Sequence, residues 1–455
     1  MRIAFVAANR EVLPDPVVPL GLAYLMGSTP ASHVKKLVDL CWEPEPLEAV
    51  RRELSAFAPD LVAVGLRNIQ NSDYSGTRDN LAYYDRLFAA IRAATAAPVV
   101  VGGGGFSVIP EGLMARLRPD FGVAGEAEQA FAELVARLDV GSRDAAGVGG
   151  VYWWKDGALA HEPPRASFLD LDALPAPDRS QIDPRYYREV GIESLQTKRG
   201  CVLQCEYCTY PTIEGRAVRQ RDPARVADEF VAAREVHPEL NHVFVVDSSF
   251  NIPPRHAKAI CRALIERGWS IPWTCYANPL GFDSELASLM ARAGCAGMEI
   301  GSDSGCDEVL DRLKKGFRTA QIRKIHALSA EAGLRDCHTL ILGTQGETLD
   351  DVRRTLDFLH DLEPFAAILM VWTDDYEALD PALAASRRAF RDEVLAVVAR
   401  EAAANPRWIV PPLGLNFDPR LFRILRRRGL QGPLWQHIHM VDRAPAAKRP
   451  ARVAP

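Results

Sequence analysis

No apolar run in the sequence is long enough to cross a bilayer, and little in it marks a secreted or fibrous protein. One of its longest apolar stretches, residues 365–372, is far below the roughly 20 residues that a membrane helix needs. The polar residues Arg10 and Glu11 come too early for the apolar core of a signal peptide. The nine cysteines among 455 residues are an odd number, which excludes a scaffold of fully paired disulfides. We therefore expect a cytoplasmic protein without a membrane span.

A strong excess of charge of either sign is also missing. Arginine and lysine together number 54 against 59 acidic residues, so the formal net charge is −5. Domains that bind nucleic acid are usually strongly basic, and we expect no nucleic-acid partner. Hydrophobic residues at 48% and charged residues at 25% are ordinary for globular protein, which excludes wholesale disorder. At about 150 residues per domain, the length predicts about three domains.

Residues 1–140 alternate short apolar strands with amphipathic helices, which predicts a doubly wound, Rossmann-like parallel sheet. In such a sheet a ligand lies beyond the carboxyl ends of the strands. Two loops are distinctive there, namely residues 67–71, which begin with Arg67-Asn68, and the glycine run at 102–105. Glycine lets a backbone approach a bulky ligand closely, although a flexible turn explains the run equally well.

Residues 141–190 are predicted to form a hairpin and a linker. The hairpin turns at Asp156-Gly157, and residues 163–187 that follow are rich in proline and aspartate without a sustained period. Strand–helix alternation resumes over residues 191–375, with strands predicted at 193–197, 242–246, 273–277, 297–300, 336–341 and 367–371. Six β/α units predict a partial barrel, with its chemistry at the carboxyl ends of the strands.

Residues 376–455 are predicted to be a small, mostly helical region. One long helix is expected at 383–403, and the basic tail from about Ala444 is expected to be disordered. The predicted fold class is therefore α/β, with a doubly wound domain, then a partial (β/α)6 barrel, and a helical end that helps to shape the pocket.

Three closely spaced cysteines indicate the chemistry. Cys201, Cys205 and Cys208 follow the first predicted barrel strand, in a loop that can wrap three thiolates around one centre. Thiolates are the usual ligands of a [4Fe–4S] cluster, and three of them leave one iron open. Zinc is the alternative, but structural zinc normally takes four protein ligands, and the fourth would have to be distant, such as Cys275 or His242. The scattered cysteines are expected to be small buried hydrophobes.

The C-x₃-C-x₂-C spacing, with Tyr207 before the last cysteine, resembles the signature of the radical S-adenosylmethionine (SAM) superfamily. The resemblance implies a cluster whose open iron is chelated by the methionine part of SAM, and an electron that cleaves SAM to a 5′-deoxyadenosyl radical. The later segments HVFVVDSSFN, GMEIGSDSG and LILGTQGET resemble that family's SAM-binding strands, in the same order. By this resemblance the SAM-binding candidates are Tyr207, Asp247, Ser248, Asn251, Ser302, Asp303, Gly343 and Glu347.

The segments PLGLAYL, VGLRN, VVVGGGGFS and VAGEAE of the first region resemble the cobalamin-binding domain of the cobalamin-dependent radical SAM enzymes. The cobalamin-binding candidates that this implies are Arg67, Asn68, Gly102, Gly103, Gly104, Phe106 and Glu126. The wider family's D-x-H-x-x-G motif, whose histidine ligates cobalt, is missing, because His33 lacks both the Asp and the Gly. Arg67 is expected either to face the cobalt without ligating it or to be a buried arginine that caps strand-end carbonyls.

Some further side chains are candidates for contact with a substrate. They are Arg216, Arg219, Tyr276 and Trp372. The two arginines offer a bidentate fork for a carboxylate, although a solvated basic turn explains them as well. The two aromatic residues end predicted strands and would point into the barrel mouth. Lys314-Lys315-Gly316 is interpreted as a helix end, and His437-x-His439 as structural.

The family resemblance implies methylation of an unactivated carbon or phosphorus on a small molecule of specialised metabolism. One SAM would methylate cob(I)alamin, and a second would generate the radical that activates the substrate. An external electron donor, flavodoxin-like or ferredoxin-like, is the implied protein partner. The leading alternative is a cyclisation, rearrangement or bond formation without methyl transfer. The complete set of three cysteines counts against a non-catalytic sensor of a cluster or cobalamin, and a zinc-stabilised binding module would be distinguished by metal analysis.

Overall fold

Two seven-stranded sheets organise the fold, which the computed structural model describes over residues 1–12, 15–71, 78–164, 169–416 and 424–438. Parallel strands dominate both sheets and helices connect them, so the α/β class predicted from the sequence is confirmed. His439 and the tail from Ala444 lie outside the described residues.

The first sheet is built from apolar, β-branched strands. The strands of this region are β1 (Arg2–Ala7), β2 (Val34–Asp39), β3 (Leu61–Gly65), β4 (Gln70–Asn71), β5 (Arg78–Asp79), β6 (Val99–Gly102), β7 (Phe121–Val123), β8 (Val151–Lys155) and β9 (Ala158–His161). The sheet has the order β2-β1-β3-β6-β7-β8-β9, while β4 and β5 pair with each other. The predicted hairpin at Asp156-Gly157 is confirmed, and its strands continue the sheet in the antiparallel sense beyond residue 140.

Helices cover both faces of this sheet. They are α1 (Leu20–Ser28), α2 (Pro46–Phe57), α3 (Leu81–Ala94), α4 (Gly104–Val108), α5 (Pro110–Leu117) and α6 (Glu128–Asp139). Their buried residues recur at helical spacing, as Val50, Leu54 and Phe57 do in α2. One apolar core lies on each face of the sheet, which is the doubly wound arrangement that the alternation predicts.

The second sheet curves into a partial barrel. The strands of this region are β10 (Ile192–Leu195), β11 (Lys198–Arg199), β12 (Arg219–Gln220), β13 (His242–Val245), β14 (Trp273–Ala277), β15 (Cys295–Asp303), β16 (Arg335–Leu342), β17 (Ala366–Val371) and β18 (Trp408–Ile409). The sheet has the order β10-β13-β14-β15-β16-β17-β18 and is parallel throughout. The strands predicted from the sequence are all present. The strand β18 was not predicted, because two residues show no alternation.

The helices of the second region follow its strands. They are α7 (Tyr210–Glu214), α8 (Pro223–Val236), α9 (Pro254–Glu266), α10 (Ser284–Arg292), α11 (Asp307–Arg312), α12 (Thr319–Glu331), α13 (Leu349–Leu362) and α14 (Pro381–Ala404). Side-chain caps start several of them, since Asp222, Asp283 and Thr348 accept hydrogen bonds from backbone N–H groups in the first turns of α8, α10 and α13. Within the part of the chain that the structure describes, no helix combines the length and apolar character needed to cross a membrane.

The two faces of the barrel strands differ in burial. On the outer face, side chains such as Val245, Cys275 and Ile300 are buried in a core that they share with the surrounding helices. Alternate residues on the inner face keep accessible surface, and these are Phe244, Tyr276, Glu299, Thr339, Ile341, Ile368 and Met370. The strands therefore enclose a space that side chains do not fill.

Residues 424–438 close one end of that space. Trp435 packs with Cys337, Ala366 and Ile409, and a side chain added at Gly297 would collide with its ring. Because these contacts lie at the amino-terminal ends of β15, β16 and β17, the segment forms the floor of the barrel. The opposite end, where the strands terminate, stays available for chemistry.

A buried ion network ties the linker to the barrel. The guanidinium of Arg179 lies 2.9 Å from Oε2 of Glu193 in β10 and 2.8 Å from Oε1 of Glu229 in α8. The hydroxyl of Tyr187 donates a hydrogen bond to the same oxygen of Glu193, at 2.8 Å. Glu193 is fully buried, so its charge depends on these partners.

We predict that Arg179→Leu lowers the free energy of unfolding by about 3–5 kcal/mol, because it removes the buried counter-charge of Glu193. Arg188→Ala is the matched control, since the ion pair of Arg188 with Glu239 is exposed and screened by solvent. Urea unfolding of both variants under anaerobic conditions measures the difference. Equal losses in the two variants would contradict the prediction.

Candidate functional site

The cysteine loop leaves the barrel through a narrow base. It connects β11 to β12, which pair antiparallel at Lys198–Gln220 and Arg199–Arg219. Gly200 has a positive φ of 88°, and a Cβ there would lie 2.1 Å from the carbonyl oxygen of Ala217. The backbone N–H of Cys201 donates to the carbonyl of Gly215 at 3.1 Å. The two ends of the loop are therefore held together, and the residues between them project as one unit.

The three predicted cluster cysteines share an environment that the other six cysteines lack. Cys201 and Cys205 are partly exposed and Cys208 is exposed, all three as free thiols, whereas the other six are buried. Cys205 and Cys208 line a cavity of about 490 Å³. Burial, opposed by the nearby Lys315 ammonium, raises the pKa of the Cys205 thiol. Thiols beside an open cavity fit a cluster that they bind as thiolates.

The distant residues considered as a fourth zinc ligand do not approach this loop. Cys275 is buried in the core between the barrel strands and their helices. His242 bonds Thr274 at 2.9 Å and begins β13, at the opposite end of the strands from the cysteine loop. Among the described residues, the donor set at the loop is therefore three thiols, which favours iron–sulfur over structural zinc.

Tyr207 and Asp303 are brought together beside the loop, as two of the predicted SAM-binding residues. The hydroxyl of Tyr207 donates to Oδ2 of Asp303 at 2.5 Å, and the ammonium of Lys315 lies 2.6 Å from the same oxygen. Burial, reinforced by the Asp303 carboxylate, raises the pKa of the Tyr207 hydroxyl well above its usual range. Lys315 is not among the site residues predicted from the sequence. Its only signal was a lysine pair before a glycine, which correctly indicated a helix end.

Asp247 and Asn251 are engaged by hydrogen bonds within the protein, and their contacts with SAM stay predictions. Asp247 is fully buried and accepts hydrogen bonds from the backbone and hydroxyl of Thr197 and from the backbone of Lys198. Asn251 is also fully buried and bonds the backbone of Asn278 and Leu280. Both side chains hold strand ends together.

Ser302 shares the outer face of β15 with Met298 and Ile300. Its hydroxyl lies 2.7 Å from Nδ1 of His338, and its role toward SAM stays a prediction. The contacts continue from His338 to Asp336 at 3.0 Å and on to His326 of α12 at 2.6 Å. Ser302 therefore points into the helix layer and away from the barrel interior.

The other SAM-binding candidates keep polar atoms near the expected position. The hydroxyl of Ser248 donates to the carbonyl of Gly200, at 3.2 Å, and so borders the cysteine loop. Oε2 of Glu347 accepts hydrogen bonds from Thr344, while its buried Oε1 has no partner among the described residues. The carbonyl of Gly343 accepts a hydrogen bond from Arg387 at 2.7 Å. Their roles toward SAM stay predictions.

A second cavity, of about 370 Å³, lies where the two regions of the chain meet. The first sheet contributes residues that follow β3 and β6, and the other side comes from Thr209 and α7, which follow Cys208 within the cysteine loop. The lining residues are Arg67, Asn68, Ile69, Gln70, Gly104, Gly105, Val108, Thr209 and Ile213. Gly103 has a positive φ of 95°, and a Cβ there would lie 2.5 Å from the carbonyl oxygen of Leu66, so the chain can turn here only with glycine.

Arg67 is not the buried carbonyl cap considered as its alternative role. Its side chain is 45% exposed and pairs with Glu11, with Nη1 3.3 Å from Oε2. Asn68 donates to the same carboxylate at 3.0 Å. Among the described residues no histidine lines this cavity, and His33 lies 3.1 Å from the amino terminus. A cobalt placed at this cavity would therefore receive no histidine from its lining.

Phe106 and Glu126 have partners within the protein, and their contacts with cobalamin stay predictions. Phe106 is fully buried and packs edge-on against Tyr152, because its turn of α4 faces the core. Both carboxylate oxygens of Glu126 bind the guanidinium of Arg219, one of them at 2.7 Å. This ion pair crosses from the first region to the barrel, so it also occupies an arginine that was predicted to bind substrate. Gly102 ends β6 and is partly exposed.

The remaining substrate candidates lie at the carboxyl ends of the strands. The guanidinium of Arg216 donates to the carbonyl of Leu203, within the cysteine loop, at 3.0 Å. Trp372 contacts the ring of Tyr207 edge-on, with centroids 6.3 Å apart, and its N–H donates to Asp374. Tyr276 is 43% exposed, on the inner face of the barrel. Their roles toward a substrate stay predictions.

Comparison with known proteins identifies the family. Residues 195–359 match the family model of the radical SAM superfamily, and residues 7–135 match that of the B12 binding domain. The chain is a cobalamin-binding radical SAM enzyme. The resemblance stated from the sequence is confirmed, and the cofactors of this radical SAM enzyme are a [4Fe–4S] cluster, SAM and cobalamin.

This radical SAM enzyme is similar to curated proteins of two activities. The tryptophan 2-C-methyltransferase of Streptomyces laurentii is 28% identical over 422 residues, which cover 78% of this chain and 70% of that protein. The anaerobic magnesium-protoporphyrin IX monomethyl ester cyclase of Rubrivivax gelatinosus is 25% identical over 370 residues, covering 78% and 64%. Among solved structures, the radical SAM methyltransferase TsrM of Kitasatospora setae, with cobalamin and a [4Fe–4S] cluster bound, superposes with a TM-score of 0.72 at 25% identity, covering 81% of this chain and 72% of that one.

We predict that Arg67→Ala weakens cobalamin binding by about tenfold, because it removes a charged side chain that lines the cavity. The unfolding free energy of the cofactor-free protein should change by less than about 1 kcal/mol, since the Arg67–Glu11 pair is partly exposed. Arg51→Ala, which breaks a surface pair on α2, is the control. Absorbance titration with cobalamin measures the affinity, and unchanged affinity alongside lost stability would assign Arg67 a structural role.

Proposed function

We propose that this enzyme methylates an unactivated carbon or phosphorus of a small molecule of specialised metabolism. The observation that carries the proposal is the shared lining of the second cavity. Thr209 and Ile213, which come directly after Cys208, face Arg67 and Asn68 of the first region across it. A methyl donor in that cavity and a radical generator at the cysteine loop would therefore both reach the mouth of the barrel.

The proposed division of labour follows from the donor atoms. In this proposal Cys201, Cys205 and Cys208 hold the cluster, and Asp303, oriented by Tyr207 and Lys315, binds a polar part of SAM. When bound, the cluster supplies the electron for SAM cleavage and cobalamin carries the methyl group. The chain itself orients these groups and excludes water from the barrel interior.

An external electron donor, flavodoxin-like or ferredoxin-like, is part of the proposal. Cys208 is exposed, and the cavity at the cysteine loop is lined by polar and charged residues such as Glu206, Arg216 and Lys314. A small redox protein can approach such a surface. Substrate, in contrast, is proposed to enter the barrel on the side of the second cavity.

Chemistry without methyl transfer is the second candidate. The likeness to the cyclase of Rubrivivax gelatinosus, at 25% identity, is the observation that favours it. The likeness to the tryptophan methyltransferase is somewhat greater and covers more of the relative's length. We therefore place methyl transfer first.

The products distinguish the two candidates. Anaerobic holoenzyme, with reductant and SAM labelled in its methyl group, should give S-adenosylhomocysteine and 5′-deoxyadenosine in similar amounts, with label in the product. L-Tryptophan is the first substrate to offer, because a similar methyltransferase acts on it. Formation of 5′-deoxyadenosine with a turned-over substrate, but without S-adenosylhomocysteine or label transfer, would replace methyl transfer by cyclisation or rearrangement.

We predict that alanine at any of Cys201, Cys205 or Cys208 abolishes 5′-deoxyadenosine formation, because two thiolates do not retain a cluster with a single open iron. Cys261→Ala is the control, since that cysteine is buried in the barrel core, away from the loop. Iron and sulfide analysis accompanies the assay. A loop variant with full cluster content and normal SAM cleavage would refute the assignment.

A further inference from the structure

Glu299 places a carboxyl group on an otherwise mostly apolar inner face of the barrel. Its neighbours in the sheet, Met298 and Ile300, are buried in the outer core, so the side chain of Glu299 points inward. Tyr276 lies beside it in register on β14. Phe244 contacts Tyr276 edge-on, with ring centroids 4.9 Å apart. The carboxyl group therefore lies next to an aromatic pair, inside the space that the strands enclose.

Only one of the two carboxylate oxygens of Glu299 has a partner. Oε1 accepts a hydrogen bond from the indole N–H of Trp435 at 2.9 Å, which anchors the side chain to the barrel floor. Oε2 has no hydrogen-bond partner or ion pair within the described part of the chain. Asp15, whose charge acts on Glu299, is itself paired with Arg426. Oε2 is thus an unpaired acceptor that faces the barrel interior.

Burial raises the pKa of both Glu299 and its neighbour Tyr276. Burial, with added repulsion from Asp15, raises the pKa of Glu299 to about 7, against the effect of the Trp435 hydrogen bond. Burial likewise raises the pKa of Tyr276, although 43% of that residue is accessible. Both groups lie on the inner face of the barrel strands, where a carboxylate gains from a cation that replaces lost water.

We infer that Glu299 is the substrate-recognition residue of the barrel, and that the substrate presents a protonated nitrogen to Oε2 from an apolar body seated against Phe244 and Tyr276. A charge-assisted hydrogen bond to the carboxylate and contact of the cation with an aromatic ring would act together. The inference rests on the proposed function, because it assigns the small-molecule substrate to the barrel interior. It adds the chemical class of that substrate, an organic ammonium ion.

The test compares two probes that differ in one charged group. Benzylammonium and benzyl alcohol are measured against the holoenzyme by equilibrium dialysis at about pH 8, where the Glu299 carboxyl is mainly ionised. Benzylammonium should bind about tenfold more tightly than benzyl alcohol. Equal binding of the two probes, or no binding of benzylammonium, would overturn the inference.

Matched variants separate recognition from structure. Glu299→Gln should abolish the preference for benzylammonium, whereas Glu299→Asp should retain part of it because the charge remains. Glu331→Gln, on the exposed end of α12, removes one negative charge elsewhere and should leave the preference intact. If Glu299→Gln weakens both probes equally, the residue only supports the fold and the inference fails. Absorbance of the cluster and cobalamin reports whether each variant is folded.

The outcome of the binding test does not depend on the outcome of the methyl-transfer test. Binding requires no turnover, so the probe preference holds even if the enzyme cyclises its substrate. Methyl transfer to a substrate without any basic nitrogen, together with a missing probe preference, would leave the proposed function standing and remove the inference alone.

Discussion

The buried carboxylate of Asp247 fixes the point from which the cysteine loop leaves the barrel. It joins the end of β13 to the chain that follows β10, through the backbone and hydroxyl of Thr197 and the backbone of Lys198. Three thiols can share one metal centre only if their backbone starts from a defined place. Asp247 is buried away from solvent and accepts hydrogen bonds from several donors. Any displacement of these donors would leave its carboxylate unpaired, so the base of the loop is fixed in position.

The paired strands β11 and β12, at the base of the cysteine loop, also join the two regions of the chain. Arg199 on β11 binds Glu128, and Arg219 on β12 binds Glu126, so both strands at the base of the cysteine loop are held by acidic residues of the first region. Burial is opposed by the Arg199 guanidinium, and the pKa of Glu128 is lowered as a result. The second cavity and the cysteine loop are therefore held by the same pair of strands. This arrangement fixes the position of one site relative to the other.

Much of the fold could be predicted from local pattern, and much of the site could not. Alternating strands and helices, the cysteine spacing and the hairpin at Asp156-Gly157 are local features, and each is found as expected. Ser302 lies on the outer face of β15 beside His338, a partner that is distant in the chain. Phe106 is buried because the last glycines of the run begin a helix whose turn faces the core, which the glycine run itself does not indicate. Lys315 and Glu299 were missed because their partners are distant in the chain.

The barrel floor has a consequence for the order in which the protein is made. Trp435 lies close to the end of the described chain, yet it contacts the starts of β15, β16 and β17 and holds Glu299. A ribosome releases residues from the amino terminus onward, so the first sheet and most barrel strands emerge while the floor is still inside the exit tunnel. During that interval the interior is open from below. The pocket acquires its final depth only once residues 424–438 have emerged, later than the three cysteines and the lining of the second cavity.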